Sequence, residues 1–229
     1  MKKYFVPFLI GISASLAFAD TIELKSGVVS GDSVKLPAAF VCGTDTIQDV
    51  DGNIYNTVLI GDQCWMKTNL NVTKDPSGAA ITRYCYDDAT GCGSHYGGLY
   101  TWSTVMNGST TAGAQGICPT GWHVPTDGEF KTLVEGQATA GCEGLLGKCS
   151  PAGTKLQSGG SSGFEGLLAG FRQTSGTFYT RGANASLWSS SVGGSNAWYR
   201  DLYSGAAQVG RYNDIQALGF SVRCLKDGM

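Results

Sequence analysis

Hydrophobic and polar positions alternate in short runs along most of this chain, and glycine, serine, asparagine or aspartate bounds each run. Alternation with a period of two is typical of β-strands that bury one face. Residues 44–50 and 54–60 flank the turn sequence Asp51-Gly52-Asn53 and predict a β-hairpin, which residues 64–66 extend. The later β-rich runs are residues 164–172, 176–179, 186–191, 197–203, 206–212 and 219–225.

Helical periodicity is confined to two segments near the middle of the chain. Residues 97–107 have apolar positions three and four residues apart, which predicts a short helix. A second helix is predicted to begin at Thr126, because Thr126 and Glu129 have the spacing of a capping box before the apolar Phe130. The pattern therefore predicts an α+β domain with two short helices, short antiparallel strands and long loops.

The first 19 residues have the pattern of a secretory signal peptide. Two lysines precede an apolar run, and Ala17-Phe18-Ala19 forms a small-residue cleavage site. Pro7 and Gly11 interrupt the run, which is shorter than a membrane-spanning helix requires. We expect export, cleavage after Ala19, a secreted or cell-surface location, and no transmembrane segment in the mature chain.

Residues 20–41 alternate weakly and contain no cysteine. They are either a peripheral leader of the same domain or an arm that docks onto a second copy of the chain. Residues 42–229 are expected to form one domain, since loop-rich and β-rich chains of this length fold as single domains.

All eight cysteines follow the predicted cleavage site, and an even number in an exported chain predicts four disulfides. Cys85 with Cys92 and Cys142 with Cys149 would each close a short loop. A bond between Cys42 and Cys64 would hold the first sheet to the segment before it, and Cys118 and Cys224 then remain as the last pair. The predicted bonds are Cys42–Cys64, Cys85–Cys92, Cys118–Cys224 and Cys142–Cys149.

The charge of the chain argues against nucleic-acid binding. Cleavage removes Lys2 and Lys3, so 16 basic and 18 acidic residues become 14 and 18, a net charge of −4. Nucleic-acid binding requires a concentrated basic face, which this composition does not suggest.

No metal site is predicted. The sequence lacks a Cys-x-x-Cys pair and has only two histidines, which does not suit zinc. Asp49, Asp51 and Asn53 have the spacing of calcium ligands, but Ile60 occupies the position of the glutamate that closes such a loop. We therefore predict a turn at these residues.

No catalytic residue is predicted either. Ser189, Ser190 and Ser191 lack the Gly-x-Ser-x-Gly nucleophile motif. His123 has no recognisable nucleophile or orienting acid and is interpreted as structural. No pair of acidic residues stands out as the two carboxylates of a glycosidase.

Six blocks of the sequence resemble the Fibrobacter succinogenes major paralogous domain, over about residues 42–227. One block reads Cys118-Pro-Thr-Gly-Trp-His-Val-Pro-Thr-Asp-Gly-Glu-Phe130, and the last reads Gly219-Phe-Ser-Val-Arg-Cys224. The others are residues 49–66, 98–102, 187–190 and 197–200. The resemblance implies an exported bacterial protein with a C-type-lectin-like fold of the kind found in the formylglycine-generating enzyme.

The residues argue against the activity of that enzyme. Formylglycine-generating enzymes bind copper through a cysteine pair shortly before the closing Gly-Phe-Arg-Cys block, but this chain has no cysteine between Cys149 and Cys224. The Glu-Pro-Asn or Gln-Pro-Asp triplet of calcium-dependent lectins is also absent from the sequence. We expect a protein without cofactor that binds ligands independently of calcium.

Aromatic and polar side chains are interleaved in the later β-rich runs, as in surfaces that hold glycans. The ligand-binding candidates are Trp188, Trp198, Tyr199, Arg200, Asp201, Tyr203, Arg211 and Tyr212. The alternative is that Trp188 and Trp198 belong to the core. The sequence thus predicts a noncatalytic module for carbohydrate binding or adhesion. The second hypothesis is a homo-oligomeric subunit of an extracellular filament or layer, assembled through residues 20–41.

Overall fold

The computed structural model describes residues 39–88, 95–139 and 149–228, together with Cys92 and Cys142. The α-helices in this part of the chain are α1 (Trp102–Met106), α2 (Asp127–Gln137) and α3 (Ala152–Leu156), and a 3-10 turn covers Tyr86–Asp88. The strands are β1 (Thr46–Gln48), β2 (Ile54–Ile60), β3 (Gln63–Met66), β4 (Trp122–His123), β5 (Phe171–Arg172), β6 (Phe178–Tyr179), β7 (Asn184–Gly193), β8 (Asn196–Tyr203), β9 (Val209–Ile215) and β10 (Leu225–Lys226). The fold is therefore α+β, with few short helices and antiparallel sheets.

The first sheet has the strand order β1-β2-β3-β10-β4, and every neighbouring pair is antiparallel. The predicted hairpin is present as β1 and β2, and its turn is closed by Asp49, whose carboxylate accepts backbone N–H groups of Asp51 and Asn53 at 2.9 Å. Leu225 lies opposite both Trp65 and His123. The end of the chain therefore closes this sheet between two earlier strands.

The second sheet consists of β7, β8 and β9, again antiparallel. Beside it lies the β5–β6 hairpin, in which Phe171 is opposite Tyr179. A bridge from Gly170 to Ala185 fixes the hairpin next to β7. This arrangement brings aromatic residues from three parts of the sequence together.

The first predicted helix is shorter than its periodicity suggests. Helix α1 begins only after Thr101, whose hydroxyl accepts the N–H of Thr104. Leu99 and Tyr100 are extended instead and form bridges to Tyr84 and Phe220. The prediction over residues 97–107 was wrong at its start, because cross-strand hydrogen bonds outweigh the apolar spacing.

The second predicted helix is confirmed at its first turn. The hydroxyl of Thr126 accepts the N–H of Glu129 at 3.1 Å, and the carboxylate of Glu129 accepts the N–H of Thr126 at 2.7 Å. The reciprocal pair satisfies two otherwise unpaired donors.

Helix α3 was not predicted, so the expectation of two helices was incomplete. It is one turn long and contains Gly153, a poor helix former. A Cβ at Gly153 would lie 2.4 Å from the carbonyl oxygen of Gln208, so glycine allows the helix to approach that backbone closely. Tertiary packing, which a local pattern does not contain, stabilises this turn.

Buried side chains form two clusters. Trp122, Trp188 and Phe220 belong to the first, and Trp65 with Phe130 to the second. The short segment from Trp122 to Phe130 therefore contributes to both clusters.

Four disulfides are present, with the same partners that the spacing of the cysteines predicts. They are Cys42–Cys64, Cys85–Cys92, Cys118–Cys224 and Cys142–Cys149. Cys118 and Cys224 are fully buried. The longest of the four loops is thus closed inside the core.

Residues Ala39–Met229 make up one compact unit. The predicted signal peptide and nearly all of the predicted arm lie outside the described residues. Within the described part of the chain, no helix is long and apolar enough to cross a membrane.

Candidate ligand-binding surface

The eight predicted binding residues do not form one site, because the pleat of the second sheet places them on two faces. Directly opposed residues share a face, and successive residues of a strand alternate between faces. The face toward α2 carries Trp198, Arg200 and Arg211. The other face carries Trp188, Tyr199, Asp201, Tyr203 and Tyr212.

On the first face, Arg200 and Arg211 both bind Asp127 at the first turn of α2. The Nη1 atom of Arg200 lies 2.6 Å from Oδ1 of Asp127, and Nη2 of Arg211 lies 2.8 Å from Oδ2. Burial alone would raise the pKa of Asp127, but the two guanidinium groups outweigh burial and lower it. These arginines hold the helix on the sheet and border a cleft of about 270 Å³.

Trp198 stacks under Arg211, whose guanidinium carbon lies 3.7 Å from the ring centroid. The indole is half-buried by this contact. It therefore supports the ion pair with Asp127 and does not share a surface with the tyrosines.

On the second face, Trp188 and Asp201 are internal. Trp188 is 0% exposed, packs 4.2 Å from Phe220 and donates to the carbonyl of Tyr100. Asp201 is buried and accepts a hydrogen bond of 3.1 Å from the hydroxyl of Ser186, and burial raises its pKa. Neither side chain contributes to the exposed surface, which for Trp188 agrees with the alternative of a core position, so neither is included in the surface described below.

Aromatic rings on this second face continue onto the β5–β6 hairpin. The centroid distances are 5.6 Å from Tyr179 to Phe171, 5.9 Å from Phe171 to Phe220, 4.6 Å from Phe220 to Tyr199 and 5.8 Å from Tyr199 to Tyr212. Phe220 is buried, Phe171, Tyr199 and Tyr212 are partly buried, and Tyr179 is 45% exposed. We call Tyr179, Phe171, Tyr199 and Tyr212 the aromatic row.

Tyr203 is half-buried on the same face as Tyr199 and Tyr212. Burial raises the pKa of Tyr203, and the neighbouring Tyr212 and Asp201 raise it further. Its hydroxyl stays protonated at neutral pH and interacts with Asp201 and Tyr212.

Phe171 and Tyr179 are not among the eight binding residues predicted from the sequence. Both residues lie in predicted β-rich runs and form the short strands β5 and β6, but nothing in these runs indicates which later strand they lie beside. Their place in the row depends on the bridges from Gly170 to Ala185 and from Arg172 to Gly219. These long-range pairings have no local signal.

The groups that most resemble catalytic residues make structural contacts. The ring of His123 lies between Asp227, 2.6 Å from Nδ1, and Glu129, 3.0 Å from Nε2. The hydroxyl of Ser189 donates to the carbonyl of Trp198 at 2.8 Å, and that of Ser190 to the carbonyl of Pro125 at 3.2 Å. In the described ranges, no group of three or more His, Cys, Asp and Glu side chains could hold a metal ion.

The fold and this surface define a disulfide-stabilised α+β domain with an aromatic face on its second sheet. The chain belongs to the Fibrobacter succinogenes major domain family, whose model matches residues 58–226. No curated protein and no solved structure matches the chain.

Proposed function

We propose that this protein is a secreted or cell-surface binding module with a C-type-lectin-like fold, which holds a polysaccharide without calcium and without catalysis. The aromatic row is the observation that carries the proposal. Sugar rings present apolar C–H faces that stack on flat aromatic rings, and a row of rings can contact successive sugars of a polymer.

The polar groups beside the row suit the same ligand. The hydroxyls of Tyr199 and Tyr212 can donate to or accept from sugar hydroxyls. Burial raises the pKa of Tyr199, with Asp201 acting in the same direction, so this tyrosine remains a neutral hydrogen-bond donor. A shallow site of this kind favours adhesion to a polymer over capture of a small molecule.

The cysteines argue against oxidase activity of the formylglycine-generating type. All eight are paired in disulfides. The copper site of that enzyme is built from cysteine thiolates, which a disulfide does not supply. A noncatalytic role therefore agrees better with the chemistry of this chain.

Replacing Tyr199 or Tyr212 with alanine should weaken binding to the preferred polysaccharide. The loss of one stacking ring should cost about 1 kcal/mol, or roughly fivefold in affinity. Depletion of the oxidised mature protein from solution by a panel of insoluble polysaccharides, with and without EDTA, measures this effect.

Ile54→Ala is the matched control, because Ile54 is 67% exposed on the other sheet. It should bind as the original protein does. The proposal is wrong if no polysaccharide depletes the protein, or if Tyr199→Ala and Ile54→Ala bind equally well.

A further inference from the structure

Arg172 has fewer hydrogen-bond partners than the other buried or half-buried arginines, among which Arg83 makes two hydrogen bonds to Asn71. Arg200 and Arg211 bind Asp127, and Arg223 donates to an amide oxygen and backbone carbonyls. Among the described residues, the side chain of Arg172 makes a single hydrogen bond, from Nη1 to the carbonyl of Gln173 at 3.4 Å. Among the described residues, no carboxylate lies within 4.0 Å of its guanidinium group.

The guanidinium of Arg172 is nevertheless held in place. Its central carbon lies 4.0 Å from the ring centroid of Tyr84 and 6.0 Å from that of Phe178. The backbone of Arg172 exchanges two hydrogen bonds with Gly219, both at 2.9 Å. A positioned arginine loses less conformational entropy on binding an anion than a mobile surface side chain does.

The outer edge of this guanidinium is open to a ligand. The Nε atom is buried and has no hydrogen-bond partner in the described part of the chain. The side chain as a whole is only half-buried, and Nη2, which has no hydrogen-bond partner among the described residues, is not buried. Nη2 therefore has donors free for an incoming group, Nη1 beside it is held by one long hydrogen bond, and Nε is out of reach.

A second cation extends the same cluster. The ring of Tyr86 lies 5.2 Å from that of Phe178, and Arg181 stacks 4.3 Å over Tyr86. Arg181 has a partner in Asp87 at 3.4 Å, and both side chains are well exposed. Of these two arginines, only Arg172 has no acidic partner among the described residues, so the group formed by Arg172, Arg181 and Asp87 has a net charge of +1.

From these contacts we infer that the β5–β6 hairpin carries an anion subsite, in which Arg172 receives the carboxylate of an acidic sugar. Two parallel N–H groups match the two oxygens of a carboxylate, and the flanking rings offer stacking surfaces. The inference rests on the proposed function, because it assigns the class of polysaccharide, a polyuronate. Phe171 of the aromatic row precedes Arg172 in β5, so the two side chains lie on opposite faces of one hairpin, and a polymer that contacts both must pass around the edge of that hairpin.

The test compares polygalacturonate with its methyl ester, which has the same sugar ring without the charge, and with dextran sulfate as a sulfated alternative. The original protein should bind polygalacturonate about tenfold more tightly than the ester, with weaker binding as salt increases. Arg172→Met keeps an unbranched apolar side chain between the rings and should lose that preference while it still binds the ester.

Two further variants test why Arg172→Met would lose the preference for polygalacturonate over its ester. Lys131→Met removes an exposed cation of α2 and should change nothing, which controls for net charge. Arg172→Lys keeps the charge without the paired N–H groups and should recover only part of the preference. Circular dichroism melting curves of each variant establish that it is folded.

The outcomes separate the two proposals. Equal binding to polygalacturonate and its ester, or an unchanged preference in folded Arg172→Met, overturns the anion subsite and leaves polysaccharide binding intact. Tighter binding to dextran sulfate than to polygalacturonate overturns the assignment to carboxylates. Failure to bind any of these polymers or any neutral polysaccharide overturns both proposals.

Discussion

Arg223 is a fully buried cation whose charge is balanced by oxygen dipoles. Its Nε donates to Oδ1 of Asn69 at 2.8 Å, and its Nη groups donate to the carbonyls of Met66, Phe164 and Glu165. Burial lowers the pKa of Arg223 to about 9, although Glu165 acts in the opposite direction, so the group remains charged at neutral pH. The residue thus ties three chain segments together.

Replacing Arg223 with methionine should strongly destabilise the fold. The three carbonyls would remain buried without donors, and we expect a loss of about 3 kcal/mol or more in the free energy of unfolding. Arg223→Lys should lose about 1–3 kcal/mol, because one ammonium group cannot reach all these acceptors. Urea unfolding measures both losses. Arg181→Lys, at an exposed position, should stay within about 0.5 kcal/mol, and a similar value for Arg223→Met would contradict this role.

At the scale of the elements, the turns and helix ends that depend on contacts between residues close in sequence could be predicted. The β1–β2 turn depends on Asp49 and its neighbours, and the start of α2 depends on Thr126 and Glu129, three residues apart. The candidate site could not be predicted in the same way, because the composition of residues 188–212 shows that aromatic residues are present but not which face of the sheet each one occupies. The alternation of side chains along β8 places Trp198 and Tyr199 on opposite faces of the sheet. No pattern within a single strand shows that Phe171 lies on the same side as Tyr199.

His123 links β4 to α2 and to the end of β10, and it makes these contacts dependent on pH. Burial lowers the pKa of His123, but Glu129 and Asp227 together outweigh burial and raise it above 6.5. A raised folded-state pKa means that the stabilisation is complete below about pH 6.5 and is lost as the pH rises through the folded value. Burial alone would raise the pKa of Glu129, but hydrogen bonds to His123 and Thr126 outweigh burial and lower it. The stability that the Glu129 carboxylate contributes is therefore lost only in acid.

We therefore expect the original protein to become less stable between pH 6 and 9, and His123→Gln to show a flatter profile over that range. Urea unfolding at several pH values measures the slopes. His95→Gln is the matched control, since it removes the other histidine, which is exposed, and should keep the original slope. Equal slopes for His123→Gln and the original protein would show that this cluster does not titrate with folding.

At the scale of the whole molecule, the closing disulfide joins residues that are 106 positions apart. The pairing could be predicted from the sequence because short spacings assign two cysteine pairs and the first sheet assigns a third. Its packing could not, since the burial of Cys118 and Cys224 depends on Trp122, Trp188 and Phe220, which come from distant segments. The bond joins the segment before β4 to the segment before β10, and β4 and β10 are the two neighbouring strands at one edge of the first sheet.

Removal of this disulfide should cost much more than removal of a short one. In the loop-entropy model, closing a loop of this length stabilises the fold by about 4.8 kcal/mol, against about 2.4 kcal/mol for the loop between Cys85 and Cys92. Both pairs can be replaced with alanine, and urea unfolding without reductant then measures each loss. The Cys118→Ala, Cys224→Ala variant should lose about twice as much as the Cys85→Ala, Cys92→Ala variant. Equal losses would mean that native packing, and not the entropy of the unfolded chain, determines what each bond contributes.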